Sequence, residues 1–258
     1  MQKEHVVAVK VLPYNLNMIN PLNKKSSLML GFFLCFNYCV WAQYRIKTTT
    51  DLGLGLGSGL SLSTALYLQQ KTPALNSTEI QSLNLKQVNA FDRVACKQWH
   101  PQAANTSDVL AIGSTVLYSY FFMDKRSKQD AFIIATVGAQ SVLLSTALSN
   151  VFKLSLRPRP YVYNPNVDMS IKLKPDARMS FFSSHTSTVS AMSFSFAYAY
   201  QTYHHDKKNI GVWLGAAGLP ALQGYLRVRA GKHFPTDVIT GYLIGLGSSW
   251  LMHRLHAN

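Results

Sequence analysis

The chain has 258 residues, with 25 Lys and Arg against 11 Asp and Glu, a formal charge of +14. Hydrophobic residues make up 48% but charged residues only 14%, well under the roughly 25% of an ordinary soluble domain. This composition excludes a disordered polar chain, and the positive excess points to a membrane, an anionic ligand or nucleic acid, among which only the placement of the charges decides.

Near the start, Lys24 and Lys25 precede an apolar run from Leu28 to Trp41 that ends in Val40-Trp41-Ala42 and Gln43. A basic start, a short hydrophobic stretch and small residues at the positions a signal peptidase reads form the order of a signal peptide. The 23 residues ahead of Lys24 are long for such a start, so Met18 is a second candidate for initiation. A buried helix or membrane anchor is the plainer alternative for the run. Cleavage after Ala42 would remove Cys35 and Cys39 and leave Cys96 alone, which excludes a disulfide scaffold. Residues 43–258 keep 21 basic against 10 acidic residues, so the charge belongs to the working part.

Beyond residue 43, uncharged apolar stretches alternate with short polar connections. The stretches run from Leu52 to Leu68, Val109 to Met123, Ala131 to Leu148, Thr186 to Tyr203, Ile210 to Leu226 and Val238 to Met252, which predicts six helices. Ala131 to Leu148 carries no charge and is the best candidate to cross a bilayer. The first stretch is weakened by Gly53, Gly55, Gly57 and Gly59, which close helix packing can nevertheless use. Thr186 to Tyr203, rich in Ser, Thr and Tyr, reads as a helix enclosed by protein. Between Lys71 and Ser107 an amphipathic pattern through Val88, Phe91, Val94 and Trp99 predicts one or two surface helices. No repeat or linker divides the chain, so the expected organisation is residues 1–42 as signal peptide or N-terminal extension and 43–258 as a single helical domain.

The charged connections fall into two sets. Lys125, Arg126, Lys128, Lys207 and Lys208 sit in short turns. The connections between the third and fourth helices and between the fifth and sixth share one end of an up-and-down bundle, and they bring three segments together: Lys153-Leu-Ser-Leu-Arg157-Pro-Arg159-Pro160, Ser183-Ser184-His185-Thr186, and Arg227-Val-Arg229-Ala-Gly-Lys232-His233-Phe-Pro-Thr-Asp237. A Pro-bracketed Arg is usually a helix end and a lone His a satisfied polar residue, so each segment is weak alone. Together they supply cations, hydroxyls, two imidazoles and a carboxylate, as a phosphate-handling site requires.

Planar guanidinium forks bind tetrahedral oxyanions through paired charge-assisted hydrogen bonds, which makes Arg159 and Arg227 the cradle. Ser183 and Ser184 precede a helix starting near His185, so hydroxyls and helix-terminal N–H groups can face the same anion. With the charge neutralised in this way no metal or other cofactor is called for. Asp237 can accept from one ring nitrogen of His233 and leave the other as a nucleophile aimed at phosphorus. His185, on another helix, can protonate the leaving oxygen.

These segments resemble the signature of the type 2 phosphatidic acid phosphatase superfamily, which includes bacterial lipid phosphatases, non-specific acid phosphatases and vanadium-dependent haloperoxidases. The third segment matches well, as Arg227, five residues, His233, three residues and Asp237. The second keeps Ser183 and His185, and the first keeps Arg159-Pro160. The resemblance covers about residues 109 to 252. It implies an all-α, six-helix bundle of the acid phosphatase/vanadium haloperoxidase type and a phosphohistidine intermediate on His233, with Asp237 orienting the ring and His185 as acid. It also places Arg159, Arg227, Ser183, the Ser184 amide and Lys153 around the phosphate.

The sequence departs from the pattern at four places. Lys153 lies one position too close to Arg159, with Phe152 where the lysine is expected, and Arg157 is a partial substitute. Ser184 replaces a glycine, at a cost of roughly 1 kcal/mol if the position needs a positive φ. Phe182 replaces the proline, and Leu226 the serine before Arg227. The expected activity is hydrolysis of a phosphomonoester or diphosphate, of a lipid or a small ester. The alternatives are vanadate-dependent halide oxidation and a catalytically weakened anion-binding membrane protein. The expected place is the cell envelope, with a site outside the cytoplasm in the inner membrane or in the periplasm. The basic residues alternate with apolar helices instead of forming one stripe, which argues against nucleic acid.

Overall fold

A computed structural model describes residues 43–205 and 208–257 of the chain. The proposed signal peptide therefore lies outside the described residues. Six long helices build the fold: α1 Thr48–Lys71, α2 Pro101–Thr115, α3 Ala131–Phe152, α4 Ser184–Tyr203, α5 Ile210–Arg229 and α6 Pro235–His256. Among the described residues there is no strand, only an isolated antiparallel bridge between Tyr44 and Ala257.

Local chemistry sets most of these boundaries. The Ser183 side chain caps α4 by accepting from the Thr186 amide, the role for which a hydroxyl at this position is favoured. Pro235 occupies the first position of α6, where its missing N–H costs nothing. Gly231, at φ +70, follows the end of α5, and a Cβ there would meet the Gln98 carbonyl at 2.4 Å, so the left-handed turn requires glycine.

α4 is the central helix, packed against α3, α5 and α6. Its serines are enclosed as expected, with Ser187, Ser190 and Ser193 buried and bonded to carbonyls, including Ser190 Oγ to Tyr242 O at 2.7 Å. Opposite them, Gly241 and Gly245 let α6 come so close that added Cβ atoms would lie 2.6 Å from Ser183 O and 2.3 Å from Ser187 O. Small residues and serine hydroxyls thus join these helices, where larger side chains would hold the backbones apart. An aromatic cluster around Phe121 and Phe196, with ring centroids 4.9 Å apart, fills the other end of the bundle.

Two expectations need correction. The glycines of α1 are not packing contacts: Cβ atoms at Gly53, Gly55, Gly57 and Gly59 would meet nothing within 4 Å. α1 nevertheless runs for 24 residues. The insertion before α2 forms a short helix, Ser77–Ser82, and two 3₁₀ turns, Leu85–Gln87 and Asp92–Lys97. Phe91 and Val94 are exposed, while Val88, Ala95 and Cys96 pack with Phe234. The buried positions Val88, Asp92, Ala95 and Cys96 recur at helical spacing, but the chain holds them in or beside 3₁₀ turns and not in a surface α-helix.

The outward faces of the bundle are apolar. Leu52, Leu56 and Leu60 on α1, Val109 and Ile112 on α2, Leu214 and Leu222 on α5, and Ile239, Leu243 and Trp250 on α6 are all exposed, a pattern that marks contact with a membrane or a partner. Among the described residues α3 is the helix long and apolar enough to cross a membrane.

Candidate active site

At one end of the bundle a cavity of about 510 Å³ is lined by Lys153, Arg159, Asp176, Ser184, His185, Arg227, Lys232 and His233, with Ala104, Asn105 and Asp108 of α2 as one wall. Six of the eight site residues named from sequence line this space. The other two, Ser183 and Asp237, stand behind it.

His233 sits in the turn between α5 and α6 and is almost fully buried. Its Nδ1 lies 2.7 Å from the Ser180 carbonyl. A carbonyl only accepts, so Nδ1 carries the proton and Nε2 keeps its lone pair. Nε2 is 3.2 Å from the Arg159 guanidinium, a donor, which is consistent with that tautomer. Burial first, then the charges of Arg159 and Arg227, hold the imidazole well below its ordinary pKa, so it stays neutral.

The expected hydrogen bond from Asp237 to this ring is absent. Asp237 Oδ2 lies 3.8 Å from Nδ1, because its lone pairs are already taken by Ser180 Oγ at 2.6 Å, the Phe234 amide at 2.9 Å and Arg157. Ser180 stands between the two, with its hydroxyl on the carboxylate and its carbonyl on the ring. Arg157 does not substitute for the lysine. It bridges Asp92 at 2.7 Å and Asp237 at 2.5 Å and lies over the Phe234 ring. Asp92 in turn caps α6, accepting from the Thr236 amide at 2.9 Å.

Each of the two cavity arginines is paired with a carboxylate. Arg159 spans the Asp176 side chain at 2.7 Å, the Asp176 carbonyl and the Lys232 carbonyl. Arg227 donates to Ser107 Oγ at 3.1 Å and lies 3.4 Å from Asp108. Lys232 lies over Tyr161 and Trp99. α3 ends at Phe152 and a 3₁₀ turn begins at Lys153, so the chain tightens by the one residue that the spacing lacks and the lysine reaches the cavity. Phe152 instead packs against Phe181 and Phe182. Burial and the neighbouring Arg159 bring the Lys153 amine down to about 8.

Ser184 is the first residue of α4, and Leu156 is the one non-glycine residue with a positive φ among those described, so the serine carries no strain. Its hydroxyl pairs with Ser149 at 2.6 Å. As first-turn amides, Ser184 and His185 N–H have no intrahelical acceptor and are free to hold an anion. Ser183, by contrast, accepts from the Thr186 amide and hydroxyl and lies fully buried behind the cavity wall. His185 Nε2 lies 2.9 Å from Asp108.

Asp108, Asp176, Ser180 and Asp92 were not foreseen. Asp92 and Asp108 precede the motif-bearing connections, and only the fold brings them there. Among the described residues no group of three or more His, Cys, Asp or Glu side chains converges as a metal site. The geometry suits an oxyanion held by Arg159, Arg227, Lys153 and the α4 amides, between a nucleophilic imidazole and a second histidine.

Residues 131–258 match the family described as the PAP2 superfamily. The chain is 31% identical over 132 residues to the lipid A 1-phosphatase of Rhizobium johnstonii (strain DSM 114642 / LMG 32736 / 3841), a match covering 49% of this chain and half the length of that relative. Two crystal structures are similar. One is Aquifex aeolicus LpxE, with a TM-score of 0.46 and 23% identity over 67% of this chain and 96% of that one. The other is the first transmembrane PAP2 type phosphatidylglycerolphosphate phosphatase from Bacillus subtilis, with a TM-score of 0.47 and 19% identity over 80% and 94%.

Proposed function

Because residues 131–258 make this chain a member of the PAP2 superfamily, we propose that it is a membrane-associated phosphatase that hydrolyses a phosphorylated lipid without a metal, at a site outside the cytoplasm. The observation that carries the reading is the state of His233: a buried neutral imidazole whose Nδ1–H donates to the Ser180 carbonyl, with Nε2 in a cavity of four cations. Nε2 attacks phosphorus as the bond to the leaving oxygen breaks. His185 gives that oxygen a proton, and the alcohol departs. Water then attacks the phosphohistidine as the P–Nε2 bond breaks, His185 takes a proton from that water, and inorganic phosphate leaves with His233 restored. Arg159, Arg227 and Lys153 hold the equatorial oxygens, where fixed charge in an enclosed site stabilises the transition state.

A lipid is favoured over a small ester by a second cavity. About 700 Å³ in volume, it is lined by Ala111, Ile112, Thr115, Val142, Leu143 and Met192 among others. Asn105, Asp108, Ile112 and Thr115 follow one face of α2 at helical spacing, so this groove begins about a turn beyond the phosphate cavity. The relation to a lipid A 1-phosphatase supports the same substrate class.

The test is phosphate release from lipid phosphates and soluble esters, by intact and lysed cells and by purified wild type and His233→Ala. The variant should lose at least about a thousandfold in kcat, in line with the loss of a covalent nucleophile. A variant that keeps wild-type rates would overturn the mechanism.

A further inference from the structure

The cavity contains a carboxylate that the proposed reaction does not use. Asp108 is half-exposed on α2, yet its Oδ1 reaches both His185 Nε2, at 2.9 Å, and Arg227, at 3.4 Å. A negative group in a pocket for anions opposes substrate binding, so its presence asks for a function.

The surroundings of His185 supply one. The imidazole is faced by Arg227 from α5, Lys153 from the turn after α3, Arg159 from the following loop, and Lys232 and His233 from the turn before α6. Burial first, then Arg227, bring the pKa of the ring down to about 4, with Arg159 and Lys153 acting in the same direction and Asp108 opposing them. Of the two carboxylates lining the cavity, Asp176 is engaged with Arg159, and only Asp108 touches the ring. We infer that Asp108 is a positioning residue, which through one oxygen shared between His185 and Arg227 fixes the His185 ring and favours its protonated form, the form that gives a proton to the leaving oxygen. An imidazolium carries two ring protons. One answers Asp108 and fixes the ring, and the other is available to the leaving oxygen.

The inference rests on the phosphatase reading, and two readouts separate their fates. In ¹⁵N-histidine-labelled protein, with the His185 signal assigned from a His185→Gln variant, Asp108→Asn should lower the pKa of His185 by about one unit, a tenfold change in its charged fraction. In turnover at neutral pH, Asp108→Asn should slow an alkyl phosphate about tenfold while leaving p-nitrophenyl phosphate, whose leaving group needs little proton help, within about threefold. The upper limb of the pH–rate profile should move down with the titration, and Asp108→Glu should restore part of it.

An unchanged His185 titration, or equal losses on both substrates, overturns the proposal. So does a lowered KM for every substrate with an unmoved limb, which would make Asp108 a competitor of phosphate. A wild type that releases no phosphate sinks the phosphatase reading and the donor role with it, but the titration still decides whether Asp108 sets the charge on His185.

Discussion

Replacing Arg157 with methionine tests how the reactive turn is held. The guanidinium joins Asp92 and Asp237, whose side chains have no exposed surface, and is itself 27% exposed. Removing one partner of a buried pair costs about 3–5 kcal/mol, because a charge stays behind without its counterion. The partial exposure of Arg157 puts the expected loss near the lower end, and the stacking over Phe234 at 4.1 Å adds up to about 1 kcal/mol. At about 2–4 °C per kcal/mol for a chain of this size, the unfolding midpoint should fall by about 6–15 °C. The direction of the pH dependence follows from Asp92. Burial opposes its ionisation, but hydrogen bonds from Thr236, Arg157 and Asn89 prevail and hold the carboxyl below its ordinary value. A carboxylate depressed in the folded state stabilises above its unfolded pKa of about 3.9 and loses that contribution as the pH falls through the folded value. Without Arg157 the depression shrinks, so the Asp92 part of the deficit is full at neutral pH and narrows only as the pH falls below about 4. The assay is thermal unfolding of both proteins in mild detergent, followed by tryptophan fluorescence at several pH values. A variant melting within 1 °C of wild type at pH 7 (roughly 0.5 kcal/mol or less), or a gap that widens in acid, would refute the reasoning.

Lys153 should impose an upper limit on substrate affinity. Its amine, at about 8, is charged below that value and neutral above it, so KM should rise as the pH passes through 8. In Lys153→Met, KM should already be high at pH 7 and stay flat to pH 9, and a variant that retains the wild-type rise would exclude this lysine as its source. Gly241→Ala places a Cβ 2.6 Å from the Ser183 carbonyl and should cost about 1–3 kcal/mol by overpacking. It should also lower activity by shifting the α4 amides. Gly247→Ala, with nothing within 4 Å, is the control, and equal behaviour of the two would rule out the close approach of α4 and α6.

The six helices could be read from apolar runs bounded by charge because this protein keeps charge out of its helical segments almost everywhere. The same rule hid Asp108. The apolar run of α2 begins at Val109, yet the helix starts at Pro101 and carries the carboxylate within it. Lys153, Arg159, Arg227, His185 and His233 were legible because two connections at one end of an up-and-down bundle must meet. Ser180 was not: its contribution to His233 is a backbone carbonyl, which any residue possesses and no residue type announces. Asp92 belongs to the insertion before α2, and its hold on Thr236 spans 144 positions, beyond the reach of any local pattern. Arg157 looked like a phosphate ligand because sequence shows its charge but not the two carboxylates that engage it.

The bridge between Tyr44 and Ala257 has a mechanical consequence. α6 is fastened at its start, where Asp92 holds Thr236, and again at its finish, where Arg45 N–H bonds His256 O at 2.8 Å and Asp51 meets the His256 ring at 2.5 Å. A beam clamped at both ends bends less than one clamped at a single end. Tilting α6 far enough to carry His233 out of line therefore means releasing two anchors about 30 Å apart, one of which lies outside the catalytic region altogether.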